Sequence, residues 1–458
     1  MKLSPEHNVL FQWEGTPPLT DTVSLALQHL VSMIVGCVTP AIIIANALGM
    51  EDANRILLIQ VSLVFSALST LIQLFPIGKE GGFRIGSGLP VILGISFAYL
   101  PSMQAIVEAG GDIGVIAGSM IVGGILAVVV GIFIRPIRRL FPPIITGTVV
   151  FTIGLSLYPT AINYMAGGTA NTYELVVETK HLTPALVYGS WQNWGIAVLT
   201  LIAVLLFQNK GRGLIRLASI LLGLLVGYAA ALLCGMVDFS SVASAAWIQM
   251  PKFMHFGVSF RPDASIALGL LFVINSIQAI GDYTSTTIGG MNREPLNNEL
   301  QGGIICYGLS NIISALFGCL PTATYSQNVG IVITNKVINR TVFAATSLFI
   351  LLAGICPKFS ALLTTIPQCV LGGATVTVFS TIAMTGMKLI ASEQITARNT
   401  TIVGLSAALG VGIAQASASM NQFPPEVTII FGKSPVVIAT ILAVVLNVIL
   451  PKEEKSGA

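Results

Sequence analysis

Thr322-Ala-Thr-Tyr-Ser-Gln-Asn-Val-Gly330 is a polar stretch inside oily sequence, with Pro321 before it and Ile331-Val-Ile-Thr334 after it. Gln327 and Asn328 carry carboxamides, which both donate and accept hydrogen bonds. A hydrophobic segment broken in this way cannot face lipid, because its freed backbone groups would go unpaired. It is tolerated where it lines a cavity within protein. Interrupted segments of this kind point to the substrate site of a transporter. A polar loop joining two helices would have the same composition, so the stretch alone leaves both readings open.

The rest of the chain narrows them. Of its 458 residues, 54% are hydrophobic and only 9% charged, with a mean hydropathy of +0.86. Soluble domains carry roughly 25% charged residues. The chain therefore reads as a polytopic protein of a cell membrane, and the net charge of +3, spread over loops, signals topology and not nucleic acid. Residues 1–20 are polar and contain Pro5, Pro17 and Pro18, so the first apolar helix is expected to act as the insertion signal. Cys37, Cys234, Cys306, Cys319, Cys356 and Cys369 form no Cys-x-x-Cys pair and are expected to be buried small hydrophobes, with neither a disulfide nor a metal site. No phosphate-binding loop and no Ser/His/Asp set stands out. We assign no catalytic residue, and a gradient-driven carrier fits better than an ATP-driven pump.

Apolar runs of roughly 17–25 residues place fourteen spans. The first lies near 22–48, the third near 86–106 and the eighth near 264–288. The tenth is short, at 324–335, and the last four lie near 341–356, 359–388, 399–416 and 434–450. The third is broken by Gly86, Gly88, Pro90, Gly94 and Pro101 and is expected to be only partly helical. With both termini in the cytoplasm, sixteen of the 22 basic residues fall on the inner side. That positive-inside bias supports an even number of spans.

An internal repeat is visible. Leu89-Pro-Val-Ile-Leu-Gly-Ile-Ser-Phe97 in the third span aligns with Leu320-Pro-Thr-Ala-Thr-Tyr-Ser-Gln-Asn328 in the tenth, setting Ser96 against Gln327 and Phe97 against Asn328. The two lie seven spans apart, so the second copy enters from the opposite leaflet, which is the inverted-repeat plan of secondary transporters. Chance likeness between oily, Gly/Pro-rich segments is the competing explanation.

Ionisable groups within spans are functional candidates by default. His29 lies in the first span and Asp282 in the eighth. Asn275, Gln278 and Asp282 are three and four residues apart, so one helix face presents all three, and that face is expected to meet Gln327 and Asn328 across a cavity. Plainer roles remain open: His29 as a packing residue, Asp282 as a brace for the tenth segment, Gln278 in an interhelical hydrogen bond. Phe97, beside Ser96, is expected to offer a floor for a flat ring.

These residues together resemble the nucleobase–ascorbate transporter family, also called nucleobase–cation symporters, and its bacterial xanthine/uric acid branch. Gln327-Asn-Val-Gly330, Thr334 and Lys336 match the family signature, with Asn335 where Thr is expected. Gln28-His29, Thr39-Pro40, Gly86-Ser-Gly88 and Gly281-Asp282 also fit. The likeness runs from about Trp13 to Leu450.

It implies an all-α membrane fold of fourteen spans in two inverted sevens, with short β-strands in spans three and ten. A core domain would hold residues 1–140 and 260–356, and a gate domain residues 141–259 and 357–450, followed by a cytoplasmic tail at 451–458. It implies proton- or cation-coupled symport of xanthine or uric acid, with H+ or Na+ as coupling ion and no other cofactor, and a homodimer formed through the gate. Gln278, Gln327, Asn328, Phe97 and Ser96 would bind substrate; Asp282 and His29 would serve coupling. Two departures bear on this. Relatives usually carry Glu where Gln278 stands, and purine carriers often carry Asp where Tyr307 stands, so the missing acids open an uncoupled facilitator or channel of the same fold as one alternative, beside a carrier of uracil or another nucleobase.

Overall fold

The computed structural model describes residues 7–78, 84–134, 142–168, 187–420, 422–424, 427 and 434–451. Lys2, Lys79, Arg135, Arg138, Arg139, Lys180, Lys433, Lys452 and Lys455, which enter the charge argument, and the expected tail from 452 onward lie outside the described residues.

The chain is mainly helical. It opens with α1 (Leu19–Ala47) and α2 (Asp52–Leu74), followed by the small hairpin β1 (Ile77–Gly78) and β2 (Arg84–Ile85), then β3 (Leu93–Ile95), α3 (Leu100–Glu108) and α4 (Ile113–Ile132). Next come α5 (Pro143–Met165), α6 (Trp191–Lys210) and α7 (Ser219–Leu233). The second half runs through α8 (Pro262–Met291), α9 (Asn297–Ala315), β4 (Thr322–Thr324), α10 (Ser326–Asn335), α11 (Arg340–Ile355) and α12 (Pro357–Thr364). It ends with α13 (Gln368–Ala391), α14 (Ala397–Gln415) and α15 (Pro435–Ile449).

Among the described residues, seven helices are long and apolar enough to cross a membrane, or eight if α11 and α12, bent by 80° at their junction, form one span. That bend falls at Pro357, which has no N–H to continue a helix and whose ring clashes with the preceding turn. Pro367 has the same effect before α13. The stretch read from sequence as one span over 359–388 is therefore two helices, with the break at Pro367.

Two packing groups are evident. α4 lies along α8 and α9, and α2 along α11 and α12, while α13 lies along α5 and α6 and α14 along α15. Small residues permit these close approaches, as expected where lipid gives helices no hydrophobic drive to associate. A Cβ on Gly386 would sit 2.2 Å from the Phe151 nitrogen, and one on Gly124 would sit 2.7 Å from the Gly308 carbonyl.

Of the cysteines, Cys37, Cys306, Cys319 and Cys369 are buried as expected, Cys356 is half-buried, and Cys234 is exposed just past the end of α7. The turn after α8 uses Asn292 in the left-handed region. There Glu299, bonded to both Arg293 terminal nitrogens at 2.6 and 2.8 Å, holds that guanidinium above its usual pKa.

Candidate functional site

β3 and β4 pair antiparallel, with Leu93 opposite Thr324, Gly94 opposite Ala323 and Ile95 opposite Thr322. The pairing runs one bond further at each end: Ser96 N–H donates to the Pro321 carbonyl at 3.1 Å and Tyr325 N–H to the Ile92 carbonyl at 3.0 Å. Pro90 and Pro321 keep helix from forming just upstream of each strand. The outer edges are closed by side chains from neighbouring helices. On α2, the Thr70 hydroxyl accepts from Leu93 N–H at 3.0 Å. On α9, the Asn311 carboxamide accepts from Thr322 N–H at 2.8 Å and donates to the Thr322 hydroxyl at 3.0 Å. Side chains thus take up the outward backbone groups of Leu93 and Thr322 and the Ile95 carbonyl in an apolar interior, where an unpaired backbone group is costly.

Each strand turns at once into a helix. Ile95 leads through Ser96, whose hydroxyl accepts from Ala98 N–H at 3.2 Å, and a 3-10 turn at Phe97–Tyr99 into α3. Thr324 leads through Tyr325 into α10. Two helix N-termini therefore open at the strand crossing, and their free N–H groups and partial positive charge favour electron-rich ligand atoms there. Gly94 makes the crossing tight: the Tyr325 ring lies over it, and the Tyr325 hydroxyl donates to the Ile95 carbonyl at 2.6 Å.

Asp282, on α8, is buried with its carboxylate clasping the start of α10. It accepts from the Thr324 hydroxyl at 2.5 Å and from the Ser326 hydroxyl at 2.8 Å. The bracing role is thus the one its contacts display. Gln278 sits one helical turn before Asp282 and is half-buried, while Gln327 directly follows Ser326 and is exposed. Neither amide has a hydrogen-bond partner among the described residues. The clasp itself is made by Asp282, Thr324 and Ser326 and leaves both carboxamides unengaged.

The other candidates are differently placed. Asn328 is 1% exposed and turned towards α1, donating to His29 Nδ1 at 3.1 Å and to the His29 carbonyl at 3.2 Å. His29 is fully buried, its ring 4.6 Å from that of Phe343. The pair locks α10 to α1. Asn275 does not face a cavity with Gln278 and Asp282 as the spacing predicts; it is buried and donates to the Leu271 carbonyl of its own helix at 2.9 Å. Phe97 is buried, with its ring centroid 5.2 Å from that of Phe379 of α13 and the two rings near perpendicular. Tyr307 shares a hydroxyl–hydroxyl hydrogen bond with Tyr99 and stacks on Phe272 at 5.5 Å. An aromatic cluster fills the place of an acid.

Thr70 and Asn311 escaped the sequence reading. Ser and Thr are ordinary in apolar helices, and nothing local marks those that close a distant strand. The His29–Asn328 lock gives a direct test. Asn328→Leu removes both donated bonds and leaves His29 Nδ1 buried without a partner, while the His29 carbonyl keeps its helical bond within α1. The expected loss is about 2 kcal/mol of stability, read as a lower unfolding temperature in detergent. An unchanged unfolding temperature refutes the lock.

Comparison with known proteins gives a consistent picture. A profile described as the permease family, Xan_ur_permease, matches residues 20–419. The chain is 32% identical over 438 residues to the uric acid permease PucK of Bacillus subtilis, covering 95% of this chain and 96% of that one. It is 30% identical over 457 residues to the xanthine permease XanQ of Escherichia coli K12, covering 97% and 94%. Among solved structures, the transmembrane domain of the cyanobacterial bicarbonate transporter BicA superposes with a TM-score of 0.58 at 16% identity, over 93% of this chain and 97% of that one; this likeness shows a membrane-transporter fold and no more. On these matches the chain belongs to the permease family that includes xanthine and uric acid permeases, and it is a membrane permease, not an enzyme.

Proposed function

We propose that this protein carries a purine nucleobase, xanthine or uric acid, across a cell membrane by alternating access, coupled to H+ or Na+. One observation carries the reading: Gln278 and Gln327, two carboxamides without partners, flank the Asp282–Ser326 clasp where two strand-to-helix breaks meet. A carboxamide matches the N–H and C=O edge of an oxidised purine, and a site built on such groups rejects ligands that leave them unpaired. Converging helix N-termini favour the ring carbonyls. Gln278 is neutral and would tolerate a urate anion better than a carboxylate would.

Fourteen spans are part of this proposal. The seven long helices, α7, α9, α14, α15, the bent pair α11–α12 and the two strand-plus-helix breaks supply fourteen crossings with both termini inside. The two packing groups support a core domain and a gate domain, with a dimer formed through the gate. The contact of α12 with α2 favours ending the second core segment near 364 instead of 356. In this reading Asp282, and His29 through Asn328, hold the moving parts in register, and Asp282 is the group open to coupling.

Gln327→Ala is expected to weaken xanthine and uric acid binding by at least tenfold, about 1.4 kcal/mol, while Cys369→Ala binds as the parent does. Equilibrium binding to purified protein reads both. Undiminished affinity in Gln327→Ala removes the residue from the pocket. In proteoliposomes, accumulation that collapses with a protonophore or on removing sodium supports coupling; equilibration without accumulation establishes the uncoupled facilitator.

A further inference from the structure

A roomy cavity lies away from the strand crossing. It encloses about 740 Å³ among the last turns of α1, α3, α5 and α14 and the first turns of α13 and α15, and none of Phe97, Gln278, Asp282 or Gln327 lines it. In the fourteen-span reading all six of those helix ends lie on the outer side. The volume falls within the range of roughly 300–1,000 Å³ typical of small-molecule sites.

Three carboxamides in its wall are each tethered at one end and open at the other. Asn46 donates through Nδ2 to the Tyr164 hydroxyl at 3.4 Å, leaving its carbonyl oxygen. Gln104 Oε1 accepts from the Thr160 hydroxyl at 3.2 Å, leaving its NH2 group. Asn163 Oδ1 accepts from the Tyr188 hydroxyl at 2.9 Å, leaving its NH2 group. None of the three has another side-chain hydrogen bond among the described residues. Tethering fixes each amide's orientation, which is how a site is organised before its ligand arrives. The wall thus shows one acceptor and two donors, the complement of a ring edge on which N–H and C=O alternate. Glu108 also lines the space and favours a neutral ligand over an anion.

We propose that this vestibule is a second binding site, for neutral planar heterocycles bearing lactam edges, occupied on the way to the strand crossing. The proposal rests on the carrier reading above and deepens it. Two of the tethers, Asn46–Tyr164 and Gln104–Thr160, join α1, which packs on α2 and α11, and α3 to α5, which packs on α13, so the space shrinks if these two groups move together. A ligand held there is displaced when they close.

The test uses detergent-solubilised full-length protein and xanthine as probe, read by saturation-transfer NMR, which detects weak binding. Gln327→Ala removes the central contact and is expected to retain a saturable xanthine signal. Adding Gln104→Leu or Asn163→Leu to it is expected to weaken that signal by about tenfold, as loss of one hydrogen bond implies. Using both variants guards against one that unfolds, and each is checked by thermal unfolding. Absence of signal in Gln327→Ala overturns the vestibule and leaves the central site standing. A signal that survives in both double variants also overturns it. Tight binding undiminished by Gln327→Ala alone counts against the central pocket, and the Gln104 and Asn163 variants still decide the vestibule.

Discussion

Asp282→Ala is expected to abolish measurable xanthine and uric acid binding and to lower the unfolding temperature by several degrees. The carboxylate accepts hydroxyl bonds from Thr324 at 2.5 Å and from Ser326 at 2.8 Å, so one side chain of α8 holds both the end of β4 and the first turn of α10. Hydrogen bonds to a charged acceptor contribute roughly 1.5–3 kcal/mol each. Burying the charge offsets part of that, so the net loss of stability is expected near 3 kcal/mol. Binding suffers more than stability, because Gln327 is the next residue after Ser326 and has no tether of its own. Once the clasp opens, the Gln327 amide must be ordered by the ligand alone. Asp282→Asn keeps one acceptor and a similar shape, and is expected to fall between Ala and the parent in both measurements. Isothermal titration and thermal unfolding on the same preparations decide the matter. Parent-like affinity in Asp282→Ala would show that the clasp does not position the site.

How much of this could be read from the residues alone follows from where each signal lies. Pro90, Gly94 and Pro321 break helical sequence in ways that any backbone must respect, so both interruptions were visible, as were the polar residues just after them. The fold class followed from composition, because so few charges cannot keep this much apolar surface in water. The partners of the strand edges were not visible. Thr70 and Asn311 lie on helices whose sequence gives no sign that one hydroxyl or one amide turns outward to a strand. Asn328 was legible as a polar group and illegible in direction: it sits beside Gln327 in sequence, yet one is buried against His29 and the other exposed, because consecutive helical positions point about 100° apart. Asn275 shows the converse. Spacing put it on a face with Gln278 and Asp282, but a carboxamide four residues past a helical carbonyl can bond back to it, and this one does. The vestibule had no sequence signature at all, since Asn46, Gln104 and Asn163 come from three helices and meet only in the folded chain.

The tightest point of the crossing sets the other large expectation. A Cβ built on Gly94 lies 2.5 Å from the Tyr325 ring and 2.7 Å from Cys37 Sγ, both well inside van der Waals contact. Neither neighbour has room to retreat: Tyr325 is held by its bond to the Ile95 carbonyl, and Cys37 is fully buried in α1. Gly94→Ala must therefore push β3 away from β4 or drive the tyrosine off its carbonyl, and overpacking of this sort costs about 1–3 kcal/mol. Gly94→Val, with two further methyl groups, is expected to yield no folded protein in detergent extracts. The physical cause is separable from a general intolerance of the strand by removing the obstacle. Tyr325→Ala alone leaves a cavity and destabilises; combined with Gly94→Ala it removes the clash with the ring and leaves only that with Cys37 Sγ. The double variant is expected to be more stable than the sum of the two single losses predicts, by at least 1 kcal/mol, the range of coupling between residues in contact. Unfolding temperatures of the parent, both single variants and the double variant close that cycle. Strict additivity would mean that the ring is not what excludes the methyl, leaving the contact with Cys37 Sγ as the cause.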